Sequence, residues 1–200
     1  MIKTFNNAMD LYQDGFFKID KIEQTENRLY LTLSLYKEAL GQTAGRYQQW
    51  LLTCSEVKES SINLQDTFFY VELQQEHLAL FKYQKPFFMI MGPEHIYKNE
   101  IIYGKLFVEI QSFALKYGSK KFANEFMPDL DAFSDQLVYL CNGPQEILDI
   151  YSRVLVAESL QVTALPHRQI YSDNGREQIL LFGDSSYIVA ENFEATAIEL

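Results

Sequence analysis

Any chemistry in this chain would have to come from three histidines, two cysteines and a run of aspartates. His77 follows Glu76, His95 follows Glu94, and His167 lies between Pro166 and Arg168. None has a second histidine three to five positions away, the spacing that sets two imidazoles on one helix face for zinc. They read as surface or capping residues. Cys54 and Cys141 lie 87 positions apart and match no metal or redox spacing. Cys54 shares a strand face with Trp50 and Leu52, as an inert core thiol would. Cys141 comes just before Asn142-Gly143-Pro144 and a helix start, where a thiolate is favoured, so it is the first candidate for a reactive side chain.

Asp129, Asp131 and Asp135 alternate with apolar residues in PDLDAFSD. Alternating acids suit a hard cation or a pair of acid/base carboxylates. The glycine at the sixth position and the closing glutamate of a calcium loop are both missing, so the run reads as solvated loop acids. No nucleophile elbow, phosphate-binding loop or dinucleotide fingerprint occurs. The expectation is therefore no metal, no cofactor and no catalytic residue.

Charge is the more informative signal. Phe122 to Ser152 holds Glu125, Asp129, Asp131, Asp135, Glu146 and Asp149, and no lysine or arginine. Gln178 to Leu200 holds Asp184, Glu191, Glu194 and Glu199, again without a base. These ten acids equal the whole net charge of −10, and the rest of the chain is neutral. If the two segments meet, they form an acidic face. Such a face repels nucleic acid and anionic lipid and steers a basic protein toward itself.

The elements that position these residues are legible from hydrophobic spacing. Arg28 to Tyr36 alternates, with Leu29, Leu31, Leu33 and Leu35 on one side. Phe16 to Gln24 and Arg46 to Val57 read as its neighbours, with a loop at Lys37 to Gly45. Thr67 to Gln75 alternates with Phe69, Val71 and Leu73 together, and Pro86 to Met91 is apolar on both sides. Asn99 to Tyr117 is the strongest helix, with Ile102, Leu106, Ile110, Phe113 and Tyr117 on one stripe. Ile101, Tyr103, Phe107 and Ala114 widen that stripe. A second helix runs from Gln145 to Glu158 behind Pro144. Gln178 to Phe182 and Tyr187 to Ala190 close the chain as a strand pair, with the last ten residues loosely held.

Strands, then helices, then strands argue for one α+β domain over 1–200. Its mainly antiparallel sheet comes from the N-terminal half and is covered by the helix at 99–117. The apolar run at Phe87 to Met91 is too short to cross a bilayer, and the start lacks the apolar stretch of a secretory signal. A cytoplasmic protein is expected. The leading functional expectation is a non-catalytic binding or regulatory protein. Its acidic face, carried by Glu125, Asp129, Asp131, Asp135, Glu146 and Asp149, would bind a basic protein. An inhibitor or immunity-type role fits by analogy of charge and size. The alternative is a small-molecule-binding domain or enzyme. Its aromatic pocket, between sheet and helix, would be walled by Tyr30, Trp50, Phe69, Tyr70 and Phe88.

Overall fold

Four leucines at every second position of one strand set the first core. A computed structural model of the chain describes residues 2–10, 15–39, 42–93, 100–117, 121–128, 137–167, 175–184 and 186–198. In chain order the first elements are α1 (Ile2–Met9), β1 (Gly15–Thr25), β2 (Arg28–Ala39), β3 (Gln42–Ser55), β4 (Glu59–Ser61) and β5 (Val71–Gln74). Next come α2 (Phe81–Gln84), β6 (Phe87–Pro93), α3 (Glu100–Leu115), β7 (Leu137–Pro144) and α4 (Gln145–Ala157). The chain ends with β8 (Thr163–Pro166), β9 (Gln178–Phe182), β10 (Ser186–Ala190) and β11 (Asn192–Ile198). The fold is α+β, and every strand pairing in it is antiparallel. Contacts divide the chain into two compact units: Met1–Gln75 with Arg176–Leu200, and Glu76–Gly175.

In the first unit, β1-β2-β3-β11 form one sheet and β4-β10-β9-β5 another. Leu29, Leu31, Leu33 and Leu35 are all buried, as the alternation predicts, and so are Trp50, Leu52 and Cys54 on β3. Their cluster also takes Leu180, Phe182, Ile188 and Ala190 from the second sheet and Phe5 and Met9 from α1. Phe5 stands edge-on to both Phe17 and Trp50, with ring centroids 5.3 and 5.5 Å apart. The core under the N-terminal sheet is thus closed by a second sheet and by the short first helix. Two hydrogen bonds hold α1 in place: Asn6 Nδ2 donates to the Val71 carbonyl (2.8 Å), and Tyr47 Oη to the Ala8 carbonyl (3.0 Å).

Three local expectations change in this unit. The loop expected at Lys37 to Gly45 is largely strand, because Lys37 pairs with Gly45 and Ala39 with Gln42. Register shifts beside these pairs absorb the irregular sequence. Within Thr67 to Gln75 only Val71–Gln74 is a strand, and Phe69 is 66% exposed while Phe68 and Val71 are buried. The C-terminal residues are not loose through Ile198: β11 pairs with the open side of β3 from Asn192↔Ser55 to Ile198↔Gln49.

In the second unit, β7-β6-β8 make a three-stranded sheet. α3 packs on α4 and on the 3-10 helix Lys121–Phe126. The buried stripe of α3 is Ile102, Leu106, Ile110, Phe113 and Ala114; α4 buries Ile147, Ile150, Tyr151, Val154 and Leu155. Pro144 is the N-cap of α4, with extended backbone. Gly143 before it is a close approach, since a β-carbon there would lie 2.8 Å from Ile147 Cβ. Tyr151 Oη donates to the Phe126 carbonyl at 2.8 Å and ties α4 to the 3-10 helix. Among the described residues, no helix is long and apolar enough to cross a membrane.

Candidate functional site

The side of α3 that faces away from its own core is also apolar. Ile101 is 69% exposed, Val108 62% and Leu115 53%. They are spaced seven residues apart, so they form one line along the helix. Phe107 flanks the line, and Val156 of α4 adds another exposed aliphatic side chain. A surface helix ordinarily turns charge to solvent on the face opposite its core, and one that is apolar all round is ordinarily covered. α3 departs from the first pattern: among the described residues, the 101-108-115 line stays more than half exposed.

Between α3 and α4 this face sinks into a groove of about 630 Å³, lined by Ile101, Gly104, Lys105, Val108, Arg153 and Ala157 among others. Two ion pairs cross it. Lys105 pairs with Glu158, and Arg153 Nη2 lies 2.7 Å from Glu109 Oε2. These pairs are exposed, so each adds only about 0.2–1 kcal/mol. They leave this rim with no excess of either sign. The groove floor is open at Gly104, where a β-carbon would meet nothing within 4 Å.

The six acids expected to carry a partner fare differently. Asp129, Asp131 and Asp135 lie outside the described residues. Glu146 is paired with Lys85, whose ammonium also sits 3.9 Å from the centre of the Phe81 ring. Asp149 is exposed and accepts from Gln145 Nε2 at 2.7 Å, and Glu125 is exposed on the 3-10 helix. In the C-terminal segment Glu191 pairs with Lys58 at 3.2 Å, and Asp184 accepts from Tyr70 Oη at 2.8 Å. Bases from outside both acid-only stretches thus offset part of their charge.

Of the five aromatic residues named as pocket walls, the four in the first unit take different places. Trp50 is buried on the inner face of the first sheet, and Tyr30 is half-buried on the outer face, one residue out of phase with the leucines. Phe69 and Tyr70 are exposed, and Phe88 belongs to β6 of the second unit. The exposed pair has company: Phe16 stacks on Tyr36 (centroids 5.3 Å, planes 10° apart) and lies 6.4 Å from Phe69.

Neither cysteine is suited to react. Cys141, the first candidate, is buried in β7, and burial pushes its thiol up to about 12 despite an opposing hydrogen bond with Tyr151. The strand carries it inward before the chain reaches the helix start, so the helix dipole does not prevail. Cys54 is pushed up to about 12 by burial alone. His77 is a buried cap: its Nδ1 accepts from the Ala79 amide at 3.1 Å, and its ring stands edge-on to Phe122. His167 donates its backbone amide to the Phe87 carbonyl at 3.0 Å, continuing the β6-β8 edge. His95 lies outside the described residues. Among the described residues no group of three or more histidine, cysteine or acidic side chains could hold a metal ion.

Comparison with known proteins finds no family model, no curated protein and no solved structure that matches this chain.

Proposed function

We propose that this chain is a non-catalytic binding protein that engages a basic protein partner, with the α3–α4 face as its point of contact. The observation that carries this reading is the 101-108-115 line, three large aliphatic side chains more than half exposed on one helix. Scattered apolar side chains are normal on a surface; a continuous line beside a groove marks a place for a partner. The net charge of −10 supplies the second half of the reading. It raises the encounter rate with a positively charged protein and lowers it with nucleic acid. An inhibitor or immunity-type role, in which the partner is a basic enzyme, suits this combination of charge and contact.

The test is a comparison of the wild-type chain with Val108→Asp, each immobilised in native lysate at low and high salt. A basic protein held by the wild type, lost with Val108→Asp and weakened by salt supports the reading. Circular dichroism and thermal melting check that the exposed substitution leaves the fold intact. The same protein held equally by both chains would remove the α3–α4 face from the function.

A second reading keeps the small-molecule class but moves its place. The groove volume falls within the ~300–1,000 Å³ of ligand sites. A metabolite that raises the melting temperature of the wild type, and not of Val108→Asp, would favour it.

A further inference from the structure

Gly104 is the fifth residue of a 16-residue helix, inside its second turn, where glycine is among the least favourable residues. Among the described residues nothing requires it. A β-carbon at 104 would meet no atom within 4 Å, so neither packing nor close backbone approach excludes alanine. Gly104 is also exposed, so the core gains nothing from its small size. A helix-weakening residue with no use inside the fold points to something outside it.

Its neighbours show what that is. Ile101, Gly104, Lys105 and Val108 stand at i, i+3, i+4 and i+7, and all four line the groove. Four residues at this spacing frame the hole into which a facing helix inserts one side chain. With glycine at one corner the hole is deep. The exposed apolar line continues from it at seven-residue intervals through Val108 to Leu115. A partner strand would instead present side chains about 6.6 Å apart on one face, out of step with a repeat of about 10.5 Å.

Charge narrows the occupant further. The rim carries Lys105, Arg153, Glu109 and Glu158 as two closed pairs, so it selects no sign locally. The molecule as a whole carries −10, which opposes approach of a second copy and favours a cationic helix. α3 is about 24 Å long, room for roughly two heptads of a partner.

We infer that the α3–α4 groove receives an α-helix from a basic protein, seated by one large apolar side chain in the hole at Gly104. This deepens the proposed function and rests on it. The partner helix lies along α3, and its apolar residues repeat every seven positions. Its leucine, methionine or phenylalanine knob displaces water from the hole, and its remaining face is rich in lysine or arginine.

The experiment uses the full chain and three synthetic peptides of about three heptads. The first has leucine at the two seam positions of each heptad and lysine elsewhere. The second has the same composition in strict alternation. The third replaces lysine by glutamate. Binding is read by fluorescence anisotropy of the labelled peptide at low salt. The heptad lysine peptide binds the wild type at least tenfold more tightly than either control. Gly104→Leu fills the hole and weakens that binding about tenfold or more. Gly104→Ala weakens it less while raising the melting temperature by about 2–4 °C. It also keeps the test valid if the leucine variant folds poorly. Undiminished binding by both Gly104 variants overturns the knob in the hole, and equal binding of the alternating peptide overturns the helix. Undiminished binding by Val108→Asp has a different meaning: it overturns the α3–α4 face itself and the proposed function with it. A dimer in sedimentation velocity that Val108→Asp dissociates puts a second copy in the groove and overturns the basic partner.

Discussion

Cys54 and Cys141 show how burial decides what a side chain can do. Both thiols are held near 12, so the native protein keeps both protons well above the ordinary value of 9.0. The unfolded chain gives them up near pH 9. The folded pKa being the higher one, this contribution to stability is complete below pH 9 and is lost as pH rises from 9 toward 12. At pH 10 the loss is roughly 1 kcal/mol for each thiol. Urea unfolding at pH 8 and pH 10 is therefore expected to show a larger drop for the wild type than for the Cys54→Ala/Cys141→Ala variant, by about 2–3 kcal/mol. Every other ionisable group is common to both proteins and cancels in the comparison. An equal drop would mean that the thiols are not held protonated by the fold.

At the scale of elements, α1 is the short piece on which the first core depends. Phe5 is buried edge-on between Phe17 and Trp50, so Phe5→Ala leaves a void against both rings. A loss of about 3–5 kcal/mol in urea unfolding is expected, with a red shift of the Trp50 emission. A loss below 1 kcal/mol would show that α1 does not close this core. Eight helical residues carry too little periodicity for α1 to stand out in the sequence. The long alternations at Arg28 to Tyr36 and Arg46 to Val57 were legible, since Leu29, Leu31, Leu33 and Leu35, and Trp50, Leu52 and Cys54, fall on a face that one sheet buries. So was the buried stripe of α3. Its other face was misjudged: Ile101 and Phe107 were counted as a wider core stripe, yet both are exposed. The signal was present in the 101-108-115 repeat, which a search for one apolar face passes over. The C-terminal strand β11 was missed for a different reason. Only its pairing with the open edge of β3 makes Asn192–Ile198 a strand, and sequence spacing does not report a partner so distant in the chain as Ser55 is from Asn192.

For the whole molecule the question is whether charge acts as a field or as a face. The field of a −10 chain steers a cation whatever the arrangement, whereas a face requires particular acids near the contact. Two triple reversals separate these. Asp129→Lys/Asp131→Lys/Asp135→Lys changes three acids of the acid-only stretch that leads into β7 and α4. Glu26→Lys/Glu72→Lys/Glu194→Lys changes three exposed acids of the first unit. Each reversal adds two charges, so both variants move from −10 to −4. Stopped-flow association with the heptad lysine peptide at low salt reads the outcome. The face predicts about a tenfold slower association for the first variant and a much smaller change for the second, with dissociation rates near wild type. On the proposed reading, long-range charge acts mainly on encounter, while the apolar line and the hole at Gly104 would set how long the complex lasts. Equal slowing by both variants would assign steering to net charge alone. The six acids would then lose their place in the site, and the apolar face of α3 and α4 would remain as the point of contact.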